Sequence, residues 1–301
     1  MNSLVRAIIA IATMLALIAT ASGCVRVKTN LSEDELSVFI PNKALRGNGK
    51  LETKTIALPE FQAVSAHRSA DVTLTADDVK QISVTADENV MPHVVITCRA
   101  GVLDITIDDT VKSVGDITFE VALPMNDKIK ELKVSSAAEI SMVKGLTLTV
   151  GHPLELSASS AGKIKGSFEA KELSAQASSA AEIGGRVRAT KVKIEASSSA
   201  DIEATLMAEQ LMVQASSAAS IELEGVVRKA QLQASSAGDI DSEELTLTEC
   251  SASASSGADI HCTCTGDLKA SASSGASIRC KGNPTTTDIQ KSSGGSVTIH
   301  K

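Results

Sequence analysis

Six cysteines and five histidines are the residues of this 301-residue sequence best suited to chemistry, and their placement is uneven. Cys24 follows Ala21, Ser22 and Gly23, behind a positive Arg6 and the apolar stretch 7–20. That stretch is short for a bilayer span and has the layout of a secretion signal. Small residues directly before a cysteine fit a bacterial lipobox. There the sulfur carries a diacylglycerol thioether, and cleavage after Gly23 leaves Cys24 as the first residue. Ala21 stands where leucine is more usual, and a plain cleaved signal peptide is the alternative. Acyl chains contribute about 0.8 kcal/mol per buried CH₂, so a several-chain anchor would hold the protein to a membrane.

Other residues invite other chemistry. Cys262-Thr-Cys264 beside His261 has the donor types of a zinc site. Asp71, Glu139, Glu182, Asp201, Asp239 and Asp259 each stand immediately before an aliphatic residue, and a row of carboxylates could hold a divalent cation. Catalysis has less to work with. His67, His93, His152, His261 and His300 are scattered, and neither HExxH nor GxSxG occurs. Whether any of these side chains meet depends on the elements that carry them.

Those elements are written as a repeat. AQASSAAEI (175–183), IEASSSADI (194–202) and VQASSAASI (213–221) follow one another at a fixed step. The aliphatic residue closing each motif recurs as Ile140, Ile164, Ile183, Ile202, Ile221, Ile240, Ile260, Ile278 and Val297. The successive steps are 24, 19, 19, 19, 19, 20, 18 and 19 residues, and a degenerate earlier copy, VSAHRSADV, closes at Val72. A constant period of this length marks a solenoid. Apolar and polar residues alternate on both sides of the Ser-Ser-Ala corner, which predicts strand, turn, strand. One such coil cannot bury its own apolar side, so coils must stack about 4.8 Å apart. The predicted fold is therefore all-β: a single-stranded parallel β-helix, right-handed as parallel connections usually are. Nine coils would stack to a length on the order of 43 Å. Ser and Ala fit the tight bend, where Ser hydroxyls would satisfy backbone groups left unpaired. Residues 73–131 break the period but keep strand character, and are expected to cover the first coil's open edge.

Stacking decides what the chemical residues can do. Cys262 and Cys280 both stand two residues after a closing Ile. In adjacent coils their Cα atoms would lie about 4.8 Å apart, inside the range a disulfide accepts. The pair is either a disulfide or two reduced core residues. Alternation throws His261 to the face opposite Cys262 and Cys264, which disfavours zinc. Cys250 falls in an apolar file, and Cys98 shares a strand face with Val94 and Ile96, so both read as inert buried thiols. The acidic file is interrupted by Lys163, Ser220 and Ser277 and reads as a solvated stripe.

Composition narrows the function. There is no Trp, no Tyr and only four Phe, so the core must be slim and filled by small aliphatics. Removing residues 1–23 takes away Arg6 and no acid, and the net charge of −7 becomes −8. An acidic chain without a basic run argues against nucleic acid as a partner. Sugar-cleaving enzymes need paired carboxylates, usually with aromatic rings to stack on the sugar; this surface has almost nothing to grip one. No catalytic residue, metal or cofactor is assigned. The organisation expected is a signal peptide over 1–23, a polar lipid-anchored tether over 24–57 and a β-helical domain over 58–301.

FQAVSAHRSADVTLTADD (61–78), the strand pairs of 82–123 and the chain of Ser-Ser-Ala coils resemble the head GIN domain family, whose members are named as auto-transporter adhesins and are common among Bacteroidetes envelope lipoproteins. The resemblance covers roughly 58–300. It implies a β-helical fold without assigned catalytic residues, and a cell-surface or outer-membrane protein that binds a protein or glycan ligand. The acidic cluster at 32–35 is similar to surface-export signals of some such lipoproteins, though further from the cysteine. The alternatives are a periplasmic envelope-stress scaffold or sensor and a β-helical polysaccharide-processing enzyme. Stacked terminal coils or rods packed side by side would give a homo-oligomer.

Overall fold

Each central repeat folds as one fifteen-residue strand and one four-residue turn. The strands are β12 (Lys163–Ala177), β13 (Glu182–Ala196), β14 (Asp201–Ala215) and β15 (Ser220–Ala234), each paired in parallel with the next. The computed structural model describes residues 44–76 and 79–300. In β12 the side chains of Ile164, Phe168, Ala170, Leu173, Ala175 and Ala177 point inward and are buried. Between Ala170 and Leu173 two consecutive residues, Lys171 and Glu172, face outward, and the pairing lapses at Lys171. That phase shift bends the strand and divides each coil into two walls. The closing residues stack as their alignment requires: Ile164 pairs with Ile183, Ile183 with Ile202, Ile202 with Ile221, and Ile221 with Ile240.

The Ser-Ser-Ala corner is a turn with two successive residues in the left-handed region. Ser179 and Ala180 have φ of 55° and 59°, and Ala181 donates its N–H to the Ser178 carbonyl at 3.3 Å. This is a type I′ turn, which normally calls for glycine or asparagine. A left-handed conformation costs an L-residue about 1–2 kcal/mol. What holds it is backbone, and this corrects the expectation that Ser hydroxyls satisfy the bend. Each turn donates to the next: Ala161 N–H to Ser179 O at 3.1 Å, Ala180 to Ser198 at 3.1 Å, Ala218 to Ser236 at 3.2 Å. The small side chains let turns approach at strand spacing. In the later turns Gly257, Gly275 and Gly294 replace alanine at the second left-handed position.

The N-terminal end is more elaborate than a simple cover. β2 (Ala63–Ala66) and β3 (Asp71–Thr75) form a coil beneath β8 (Glu131–Val134) and β9 (Glu139–Met142). The intervening chain forms β4 (Gln81–Asp87), β5 (Val94–Arg99), β6 (Val102–Ile107) and β7 (Phe119–Pro124). Of these, β6 and β7 pair in parallel with β2 and β3 from the other side. Val121 thus extends the closing file beyond Val72, a coil that the repeat alignment misses. β5 and β4 then pair antiparallel to β6 and β7, ending the stack.

The tether boundary needs correction. β1 (Leu51–Ala57) pairs antiparallel with β4 along its whole length, and the folded unit begins at Ala44. Residues 44–57 therefore belong to the domain. Their fastening is the carboxylate of Asp87, 2% exposed, which accepts N–H groups from Gly49 and Thr118, both at 2.7 Å. Residues 1–43 lie outside the described residues, including Ala21, Ser22, Gly23, Cys24 and the acidic cluster at 32–35.

Past β10 (Leu148–Thr149) and β11 (Leu154–Ala158), the stack continues through β16 (Asp239–Ala254), β17 (Asp259–Ala272) and β18 (Ser277–Lys281) to β19 (Thr286–Lys291) and β20 (Ser296–His300). Here the inward files change character. Leu268, Ala270 and Ala272 are followed in register by Thr287, Ile289 and Lys291, and all of β19 is exposed. A lysine in an alanine file ends the core with charge, as terminal solenoid repeats require.

Candidate functional site

The outward files of the two walls form the surface that the stacked coils present. On the first wall Glu203, Glu222 and Asp241 stand in register, and beside them run Asp201, Ser220, Asp239 and Asp259. Successive carboxylates are about one strand spacing, ~4.8 Å, apart. Among the described residues none of these six acids has a basic group within ion-pair distance. Burial pushes Asp239 above the usual carboxylate range; His261 opposes the shift, and neighbouring Asp259 and Asp241 add to it. Burial alone raises Asp71. Glu182 is the contrast. It takes Lys165 Nζ at 2.6 Å and Lys163 Nζ at 2.9 Å, and those bonds hold it below its ordinary value. The acidic wall therefore begins beyond Glu182.

It ends at a coil one residue longer than the one before it. The twenty-residue step between Ile240 and Ile260 is absorbed as a bulge, the register slipping between Glu222 and Gly225 and again between Ser242 and Thr246. Glu243 is carried on this bulge, whose carbonyl accepts Thr263 O–H at 2.7 Å. The carboxylate pairs with Lys281 two coils on and lies 3.5 Å from His261 Nδ1. Arg279 donates to His261 Nε2 at 2.8 Å. The bond from Lys281 holds Glu243 low, and Glu243 in turn raises Lys281.

The second wall is nearly neutral and rich in amides. Gln176 donates to Glu195 at 3.1 Å and Gln214 to Gln233 at 3.2 Å, each bond linking adjacent coils. Two shallow grooves cross it. One follows the bend past Leu173, Val192, Leu211 and Met212; the other runs past Ser157, Gln176, Ser178, Glu195, Ser197 and Gln214.

Sequence reasoning missed one constellation. His67 Nε2 lies 2.7 Å from Ser65 Oγ and 3.4 Å from Asp104 Oδ1, while its Nδ1 lies 2.6 Å from Ser135 Oγ. A hydroxyl, an imidazole and a carboxylate in line are the parts of an acyl-transfer site. Such a site also needs free N–H donors for the oxyanion. Beside Ser135 three of them are engaged: Ser135 N–H bonds Ala66 O, Ala137 bonds Ser160 O and Ala138 bonds Ser135 O. The arrangement clamps the imidazole at the head of the serine file. Asp104 comes from a coil that the repeat alignment does not contain, so no spacing pointed to it.

The family model described as "Putative auto-transporter adhesin, head GIN domain" matches residues 60–186 and again residues 178–284. The chain belongs to the head GIN domain family. Solved structures share the fold. A "putative adhesin" from Parabacteroides merdae is similar at TM-score 0.64 and 23% identity, covering 86% of this chain and 99% of that one. A "putative adhesin" from Parabacteroides distasonis gives 0.65 and 21%, covering 85% and 100%. A "putative lipid binding protein" from the same species gives 0.59 and 20%, covering 86% and 100%. No curated protein matches the chain.

In this head GIN domain five cysteines lie among the described residues. Cys250, Cys262, Cys264 and Cys280 are buried free thiols, and Cys262 pairs in register with Cys280. His261 faces outward from the strand whose Cys262 and Cys264 face in. Cys98 is the correction: it is only half-buried, its thiol 3.5 Å from the Glu60 carbonyl. β5 pairs only with β6 among the described residues, at the edge of the stack.

Proposed function

We propose that this head GIN domain is a non-enzymatic adhesion module, lipid-anchored through Cys24 in the cell envelope, that binds a macromolecular partner along its acidic wall. The reading is carried by the registered files Glu203–Glu222–Asp241 and Asp201–Ser220–Asp239–Asp259. Like charges about 4.8 Å apart repel by ~1 kcal/mol even in water. A regular wall of unpaired carboxylates is thus held in place at a cost, and a partner carrying basic groups would relieve it. The adhesin description of the family agrees with such a role. Binding by rigid, repeated charge would be steep in salt and fast to form.

The test is a pull-down from the native envelope with residues 44–301 as bait, alongside a variant carrying Glu203→Gln, Glu222→Gln and Asp241→Asn. Capture by the native domain that weakens in the variant and above physiological salt supports the proposal. Equal capture by both rejects the acidic wall, and turnover of a glycan by the purified domain rejects the non-enzymatic reading. Protease shaving of intact cells tests surface display, since a periplasm-facing chain would survive it.

A further inference from the structure

Four of the buried side chains at the C-terminal end are thiols: Cys250, Cys262, Cys264 and Cys280. Cys262 and Cys280 are neighbours in register on β17 and β18, and both are fully buried. The Cys262 thiol lies close enough to those of Cys250 and Cys280 to be influenced by both, and the Cys280 sulfur faces the Lys281 carbonyl at 3.4 Å. Cys264 is engaged elsewhere, its sulfur facing the carbonyls of Asp267 at 3.5 Å and Thr248 at 3.8 Å. The inward file that holds Cys262 and Cys280 is filled in nearby coils by Ala204, Leu223 and Ser242. Packing alone therefore asks for no particular residue type here. This is also the end where the core opens, because β19 is wholly exposed and nothing pairs beyond it among the described residues.

We propose that Cys262 and Cys280 are a disulfide site, oxidised as the chain folds in an oxidising compartment, and that the bond staples the last coils to the stack. Parallel strand neighbours lie about 4.8 Å apart, within the Cα separation of 4.4–6.8 Å that a disulfide takes. The compartment rests on the export reading above; the choice of partners does not.

The chemistry is thiol–disulfide exchange with an exported dithiol oxidoreductase in its disulfide form. One cysteine, as thiolate, attacks that disulfide and forms a mixed disulfide, releasing one oxidoreductase thiolate. The second cysteine thiolate attacks the mixed disulfide at the first cysteine's sulfur and displaces the other oxidoreductase thiolate. Two protons leave the chain's thiols, and two electrons reduce the oxidoreductase to its dithiol. Timing follows from the folded environment. Both thiols are fully enclosed, and the neighbouring Cys250 thiol with burial pushes Cys262 up, as the neighbouring Cys262 thiol with burial pushes Cys280 up. Neither thiol is reactive once enclosed, so the exchange precedes docking of the last coil. Thereafter the same burial shields the bond from reductants. Cys250 is the competing partner for Cys262, and register favours Cys280.

The test is peptide mapping by mass spectrometry without reduction, after acid quenching and alkylation. Two samples are compared: full-length chain from the cell envelope, and chain refolded in a glutathione redox buffer. The expected result is a Cys262–Cys280 linked peptide, with Cys98, Cys250 and Cys264 alkylated. Both thiols alkylated after the glutathione refold, or a Cys262–Cys250 link, overturns the pairing. A bond formed in glutathione but missing from the cell-derived chain supports the pairing and rejects the export reading. Cys280→Ala should fold, since alanine occupies this file at Ala204. It should lose the reductant-dependent shift in melting temperature that the native chain shows. The same shift in Cys280→Ala would also overturn the assignment.

Discussion

Asp87 Oδ1 accepts the backbone N–H of Gly49 at 2.7 Å, and this bond fastens the segment that leads into β1 to the stack. Its other oxygen takes Thr118 N–H at the same distance. Around it Asn48 N–H bonds Asn89 Oδ1 at 3.0 Å, and Asn89 Nδ2 bonds Arg46 O at 2.8 Å. Gly47 packs so closely that an added Cβ would stand 2.1 Å from Asp87 Oδ2. Removing the carboxylate would leave the part-buried hydrogen bonds of Gly49 and Thr118 unmade, each at a cost of about 1–3 kcal/mol. Asp87→Ala is therefore expected to destabilise by about 3 kcal/mol. Gly47→Ala should expel the same segment by contact. In both, limited proteolysis should open within residues 44–57 before the coils yield; cleavage that begins in the coils would contradict this.

The type I′ turns predict stabilising substitutions. Ala161, Ala180, Ala218 and Ala237 have φ near 60°, where the chain itself uses glycine at Gly257, Gly275 and Gly294. Relief of the left-handed penalty exceeds the entropy glycine adds to the unfolded chain. Each Ala→Gly change should gain about 0.5 kcal/mol, and several should add because the turns lie in different coils. Denaturant titration would show the gain, and a loss at all four sites would refute the account.

Lys291 stands in the file that holds Ala272, at the end of the stack. Its charge keeps the last strands from pairing with another copy. Lys291→Ala combined with Thr287→Leu should promote concentration-dependent association, read by light scattering, while the native domain stays as it was.

The acidic wall predicts a pH dependence with a definite sign. Asp239 is raised in the folded state. Such a group destabilises the fold when ionised, and the penalty fades as pH falls through the raised value toward the unfolded one, about 3.9. Asp239→Asn should stabilise the domain at neutral pH, with the difference vanishing below about pH 4. Glu182, held low by Lys165 and Lys163, behaves oppositely. Its contribution is present above the unfolded glutamate value, about 4.3, and is lost on acidification through its folded value. Thermal melts of Asp239→Asn and Glu182→Gln between pH 3 and 7 should diverge in these two directions.

Much of this architecture was written in local spacing. A period near 19, alternation, and Ser-Ser-Ala corners are short-range properties. Because stacking repeats them in register, they determined which residues pair, from Val72 with Ile140 to Ile278 with Val297. Inward and outward faces followed, and so did the neighbours Cys262 and Cys280. Tertiary structure decided what has no period. The coil of β6 and β7 stacks beneath β2 and β3 although it follows them in the chain, and so His67 meets Asp104. Residues 44–57 look like linker by composition, yet Asp87 and β4 recruit them. The turns are held by hydrogen bonds to the next coil, as from Ala161 N–H to Ser179 O, 18 residues on, and not by the serine hydroxyls within them. A repeat specifies its own neighbours, whereas an edge is completed by whichever distant segment can satisfy its open backbone.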